Sequence, residues 1–175
     1  MANVSDFISK LKGGGARNNQ FKVTMPFPGY AAVGGETESM AFLCTATNLP
    51  QSELGELTVN FRGRPIYMAG DRTFQTWTTT IINDTDFLIR NAIERWSNGI
   101  NNHSDNEGLV NPVDYQVDAF VDHLDRNGNT IKSYTFRGLF PTLIGQVDLT
   151  MEQATALETF ECTWRYQYWE SNTTT

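Results

Sequence analysis

From Val113 to Leu124 the chain alternates with a period of two. Tyr115, Val117, Ala119 and Val121 fall on one face of an extended strand, and Asp114, Gln116, Asp118, Phe120 and Asp122 fall on the other. No helix sustains that period, so the run dictates sheet. It ends at Asp125-Arg126-Asn127-Gly128-Asn129, where Asn-Gly supplies the positive φ of a tight hairpin turn. Thr130 to Arg137 is the return strand. One apolar and one polar face, joined by a short turn, specify antiparallel sheet packed on a core from one side.

A second segment has the same character. Thr73 to Asn83 is dense in β-branched residues, with Trp77, Thr79 and Ile81 on one face and Thr76, Thr78, Thr80 and Ile82 on the other. Further strands are expected over Gln20 to Met25, Met40 to Asn48, Leu54 to Phe61, Ile66 to Ala69, Gln146 to Thr150 and Ala156 to Trp169. Arg62-Gly63-Arg64-Pro65 reads as a turn, Gly70-Asp71 as another, and Pro26 to Ser39 and Asn101 to Pro112 as loops. One helix is clear. Asp84 or Thr85 caps it, Leu88, Ile89, Ala92, Ile93 and Trp96 form its apolar stripe, and Gly99 suits the left-handed position after its end. A shorter helix, Asp6 to Lys12, follows a Ser5 cap and carries Phe7, Ile8 and Leu11 on one face.

The expected fold is mainly β: an antiparallel sandwich or barrel of about eight strands with a central α-helix laid against it. Residues 1–17 form an N-terminal helix and flexible Gly hinge, 18–170 the β domain, and 171–175 a frayed tail.

Candidate chemistry is sparse. His103 and His123 have no partner at metal-ligand spacing. Asp122, Asp125, Asn127 and Asn129 echo a calcium loop, but the spacing fails and the distal bidentate acid is missing, so the hairpin reading stands. Gly13-Gly14-Gly15 lacks both the preceding strand and the Lys-Ser/Thr of a phosphate loop. No serine or threonine sits at motif spacing from a base. No catalytic residue, metal site or cofactor is expected. Cys44 and Cys162 sit in apolar strand-like runs and read as buried thiols, a disulfide being the alternative. The net charge of −7 argues against gripping phosphates. Neither a signal peptide nor a membrane-length apolar run is recognisable, and the chain is expected to be made in cytoplasm.

Three stretches carry a family resemblance. They are Ala69-Gly70-Asp71-Arg72-Thr73-Phe74-Gln75-Thr76-Trp77-Thr78, then Phe136-Arg137-Gly138-Leu139-Phe140-Pro141-Thr142, then Phe160-Glu161-Cys162-Thr163-Trp164-Arg165-Tyr166-Gln167-Tyr168-Trp169-Glu170. In this order and spacing they resemble the tail tube protein of contractile-tailed bacteriophages, over roughly residues 18–170. Pro26 to Glu38 and Asn101 to Asn111 are longer loops than the family minimum.

The resemblance implies a structural virion protein, with a fold like that of type VI secretion tube proteins. Subunits would join sheets edge to edge into hexameric rings, and rings would stack into a DNA conduit inside a contractile sheath. Implied partners are further copies of the chain, the tail sheath protein, baseplate and tail terminator proteins, and the tape-measure protein and genomic DNA in the lumen, with no membrane. Assembly would occur in the host cytoplasm. The hairpin bearing Arg62, Arg64, Asp71 and Arg72 would stack ring on ring, although as an isolated cluster those arginines also suit a solvated loop. The acids Asp114, Asp118 and Asp122 would line a lumen that repels phosphates, although any solvent face of a sheet is polar. Phe74, Trp77, Trp96, Phe136, Phe140, Phe160, Trp164 and Trp169 would be core or interface aromatics. Two other readings stay open: a baseplate-proximal initiator or type VI-like tube of the same fold, and a sugar-binding β-sandwich with exposed tryptophan platforms.

Overall fold

A computed structural model describes residues 3–11, 13, 15–152 and 155–174. In chain order the elements are α1 (Val4–Lys10), β1 (Phe21–Thr24), α2 (Glu36–Leu43), β2 (Cys44–Thr47), β3 (Ser52–Phe61), β4 (Arg64–Phe74), β5 (Trp77–Ile82), α3 (Leu88–Ile100), α4 (Pro112–Tyr115), β6 (Val117–Leu124), β7 (Thr130–Ile144), β8 (Thr159–Arg165) and β9 (Tyr168–Ser171). The fold is mainly β and every strand pair is antiparallel.

Seven strands form one sheet, six of them in the order β1-β6-β7-β8-β5-β2 and β9 branching from β7, while among the described residues β3 and β4 pair only with each other. β7 links the two halves. Its first part, Tyr134 to Arg137, lies between β6 and β9, and its second part, Phe140 to Ile144, pairs with β8. The bend between them has a local cause. Ala119 opposes Phe136 and Val117 opposes Leu139, so Arg137 and Gly138 share one partner position, Asp118. Such a bulge bends and twists a strand. Gly138 takes φ +64°, and a Cβ there would lie 3.0 Å from both Gln116 Oε1 and Gln167 Cγ. The last strand kinks at the same level, where Gln167 N donates to Arg137 O at 2.9 Å. The expected single strand Ala156 to Trp169 is therefore two strands, β8 and β9, running along the bent β7.

β5 buries Trp77, Thr79 and Ile81 and leaves the alternate residues half-buried, as its period requires. α3 closes the core with Ile89, Ala92, Ile93 and Trp96. Asp84 Oδ1 accepts the Leu88 N–H at 3.1 Å, but the cap residue is Phe87 at φ +52°, not the Asp84 or Thr85 expected from sequence. Trp77 and Phe136 stack with centroids 4.4 Å apart, and Trp96 packs on Trp164 at 5.6 Å. Three indoles are satisfied: Trp77 Nε1 donates to Asn48 O at 3.0 Å, Trp96 Nε1 to Tyr115 O at 2.8 Å, and Trp164 Nε1 to Thr79 Oγ1 at 2.9 Å, while Trp169 Nε1 is buried without a partner among the described residues.

Several expectations are corrected. Residues 36–43, read as loop end and strand start, form α2. Gly34 and Gly35 take positive φ before it, and the buried Glu36 carboxylate turns back to accept the Val33 and Gly34 N–H groups at 2.5 and 2.9 Å. Gly99 lies inside α3, not after it. Tyr30 crosses so closely that a Cβ on Gly99 would sit 2.3 Å from its ring, and the Tyr30 hydroxyl donates to Trp96 O at 3.2 Å. Residues 146–150 pair with nothing in the sheet, and Met151–Glu152 is a turn, with 153–154 outside the described residues. α1 starts at Val4 behind Asn3, with Ser5 inside it, and Lys12 lies outside the described residues. Residues 171–174, expected as a frayed tail, are hydrogen-bonded: Ser171 closes β9, Asn172 N donates to Ser133 O, and Lys132 Nζ donates to Thr173 Oγ1 at 2.6 Å.

Candidate assembly interface

The β3–β4 hairpin is exposed along nearly its whole length. Its register pairs Phe61 with Arg64, Val59 with Ile66, Leu57 with Met68 and Ser52 with Phe74. The strands are therefore far longer than the Ile66 to Ala69 segment expected from sequence. The tip is a two-residue turn with Arg62 at φ +50° and Gly63 at φ +80°, the geometry that suits the right-handed twist of the flanking strands. Alternation places Leu57, Val59, Phe61, Ile66 and Met68 on one face of the ribbon, and all five are exposed. A two-stranded ribbon alone is marginal in water, and β3 and β4 touch chiefly each other.

The four hairpin residues singled out from sequence fall in two places. Arg62 and Arg64 are at the tip, where the Arg62 guanidinium lies 5.3 Å above the Phe61 ring. Asp71 and Arg72 lie near the base, inside β4. The turn expected at Gly70-Asp71 is a bulge: Glu56 opposes Ala69 and Leu54 opposes Arg72, so Gly55 faces both Gly70 and Asp71. The backbones approach so closely that a Cβ on Gly70 would sit 3.1 Å from Gly55 O. Arg72 donates to Ser52 Oγ at 3.3 Å.

The three acids do not form one row. Asp114 belongs to α4, where Pro112 at the first turn starts a short helix and delays β6 until Val117. Asp118 and Asp122 share the polar face of β6. Asp118 is tied to the bulge: it accepts from Arg137 Nη1 at 2.5 Å and from Gly138 N at 3.1 Å. Arg137 also reaches Glu170 at 2.9 Å. The Asp118 and Glu170 carboxylates raise the Arg137 pKa further above its ordinary value. Asp122 accepts a short hydrogen bond from Ser133 Oγ. This face therefore carries an acid–base–acid cluster instead of a bare acidic stripe. Arg137 was missed in sequence because the bulge, not the alternation, aims it at Asp118.

Of the aromatics, Trp77, Trp96, Phe136, Phe160 and Trp164 are core. Phe74, Phe140 and Trp169 are half-buried, packing on Tyr166, Tyr115 and Tyr134 with centroids 6.2, 5.9 and 5.7 Å apart. Three of the four tryptophans thus offer no exposed platform for a sugar. Asp125, in the segment that echoes a calcium loop, is occupied by the turn itself, accepting from Asn127 N, Asn129 N and Asn129 Nδ2. Among the described residues no group of three or more potential ligands could hold a metal. Cys44 and Cys162 are free and buried, and burial pushes the Cys44 thiol up to about 12. At the two ends of the strand path, β1 pairs only with β6 and β2 only with β5, leaving each with one open edge among the described residues.

Known proteins are similar to most of this chain. The family model described as phage tail tube protein matches residues 16–172. The tail tube protein of Serratia phage KSP90 is 34% identical over 168 residues, covering 95% of each chain. Tail tube protein gp19 of Enterobacteria phage T4 is 31% identical over 169 residues, covering 95% of this chain and 99% of that one. Among solved structures, the tube terminating cap of the anti-feeding prophage aligns with a TM-score of 0.64 at 14% identity over 90% of each chain. The PVC sheath-tube complex of an extracellular contractile injection system aligns with a TM-score of 0.60 at 11% identity, covering 98% of this chain and 99% of that one. The match over residues 16–172 and identity above 30% over 95% of the chain lead to one conclusion: the chain belongs to the phage tail tube protein family, that of contractile-tailed phages.

Proposed function

We propose that copies of this chain join their open sheet edges into hexameric rings, and that the rings stack into a hollow tube conducting DNA inside a contractile sheath. The observation that carries the reading is the β3–β4 hairpin, a ribbon whose apolar face is exposed, with no cover among the described residues of its own chain. Covering that face with the next ring removes apolar area from water, and Arg62 and Arg64 at the tip are placed to meet acids of that ring. Asp71 and Arg72 act at the base, where the bulge sets the angle at which the hairpin leaves the body.

The open edges of β1 and β2 support ring closure, because an unpaired edge is a template for another strand. Four strands from each of six copies give roughly 24 strands. At about 4.8 Å spacing and a tilt near 40° the wall-to-wall diameter is roughly 45–50 Å, wide enough for duplex DNA after side chains take about 10 Å. Asp118 and Asp122 then belong to the passage. With Arg137 compensating Asp118, the wall is mildly acidic and adheres weakly to phosphates, which suits a conduit. Asp114, on α4, sits apart from that wall. The mechanism has no catalytic step and no cofactor. Sheath, baseplate, terminator and tape-measure proteins are the further partners, and the virion tail is the destination.

Electron microscopy of the purified protein at high concentration tests this. Rings or tubes with a central channel are expected. Monomers alone across salt and concentration would sink the proposal.

A further inference from the structure

α1 is a seven-residue helix that buries none of its residues. Val4, Phe7, Ile8 and Leu11 are all exposed. At positions i, i+3, i+4 and i+7 they share one face. Helices below about 12–15 residues are marginal in water without a surface to pack on, so α1 needs an apolar bed that the described residues of its own chain do not provide. A matching bed exists. Between α2 and β1 lies an open groove of ≈ 710 Å³ floored by Phe21, Ala41, Phe42 and Leu124. Phe42 is 79% exposed. The rim carries Lys22 and Glu38, one cation and one anion, and α1 carries Asp6 and Lys10 on successive turns. Lengths agree as well: seven helical residues span about 10 Å and the four residues of β1 about 13 Å.

From these matches we infer that α1 of one copy lies in the α2–β1 groove of a neighbouring copy, clasping adjacent subunits. The inference rests on the ring reading and adds the contact that places the N-terminal helix. The connection also favours a neighbour over the same chain. Gln20 O accepts the Leu124 N–H at 2.8 Å, and residues 15–20 run on along the β6–β7 turn beside Asp125 and Arg126. Residues 13, 15, 16, 17 and 20 lie against that turn and none of them lines the groove.

Disulfide trapping tests the clasp. Thr37 lines the groove, while Ser5 and Ser9 lie on α1, and all three are exposed or at the rim. Ser5→Cys or Ser9→Cys covers either helix direction, and the native Cys44 and Cys162 are buried and do not compete. A tagged Ser5→Cys or Ser9→Cys protein is mixed with an untagged Thr37→Cys protein, assembled and oxidised. The expected result is a cross-linked pair of one tagged and one untagged chain. It should exceed by at least about tenfold the yield with Val110→Cys as the partner, since held proximity accelerates bond formation. Phe7→Asp should remove the link while leaving the monomer's thermal melt unchanged. Rings without the link, or a link confined to one chain in the double variant, overturn the clasp and leave the tube reading standing. Absence of both rings and link overturns both.

Discussion

The hairpin face can be put to a quantitative test with Val59→Ser and Ile66→Ser together. The two residues oppose each other across the ribbon and are 42% and 43% exposed. Fully burying an aliphatic side chain contributes ~1.5–3 kcal/mol, so covering the exposed part of each contributes about 1 kcal/mol. Two residues give about 2 kcal/mol per subunit, and a hexameric joint between rings loses about 12 kcal/mol. Within the protomer the pair is worth only about 0.2–1 kcal/mol as a cross-strand contact. The double variant should therefore melt within a few degrees of the parent, yet fail to elongate. Circular dichroism follows the first and negative-stain microscopy the second. Tubes of parental length at parental concentration would refute the assignment of this face to ring stacking. A collapsed melt would show instead that the hairpin supports the body of the fold.

Other outcomes follow from the core and the bulge. Thr79→Val leaves the buried Trp164 Nε1–H without its 2.9 Å acceptor and should cost about 1–3 kcal/mol in urea unfolding; an unchanged midpoint contradicts that bond. Gly138→Val places a β-branched residue at φ +64° against Gln116 and Gln167, so a loss of about 2 kcal/mol or more is expected from thermal unfolding. Glu36 gives a pH signature. Burial raises its pKa, but the Val33 and Gly34 N–H groups and Arg95 outweigh that and hold it below the ordinary 4.5. A carboxyl lowered on folding stabilises above its unfolded value, and that stability disappears as pH falls through the folded value. Glu36→Gln should therefore flatten the loss of stability below about pH 4.5; an identical acid profile in parent and variant would contradict the assignment.

Local pattern revealed what depends on local pattern. The alternation of Val117 to Leu124, the Asn127-Gly128 turn, the β5 faces and the α3 stripe are each set by neighbours in sequence, and all were legible, whereas the alternation from Val113 to Gln116 misled because Pro112 starts α4 there. α2 was not, because its helix buries only Glu36 and Met40 and so shows no apolar stripe. Its existence depends on a carboxylate turning back to two backbone N–H groups. Gly99 was misread because its requirement comes from Tyr30, far away in sequence. The hairpin's full length was hidden because Gly70-Asp71 read as a turn that would end the strand, whereas it is a bulge inside β4. The Asp118–Arg137–Glu170 cluster was invisible for a different reason: a one-residue bulge reassigns which side chains meet, and alternation cannot report a slip in its own register.

That bulge has a mechanical corollary. Because β7 passes unbroken through both halves of the protein, a pull on one half reaches the other along covalent backbone, not across a packed seam. The halves cannot slide past each other. Deformation of a wall built from such units would concentrate as flexure at Gly138, with the Arg137 fork to Asp118 and Glu170 acting as its brace.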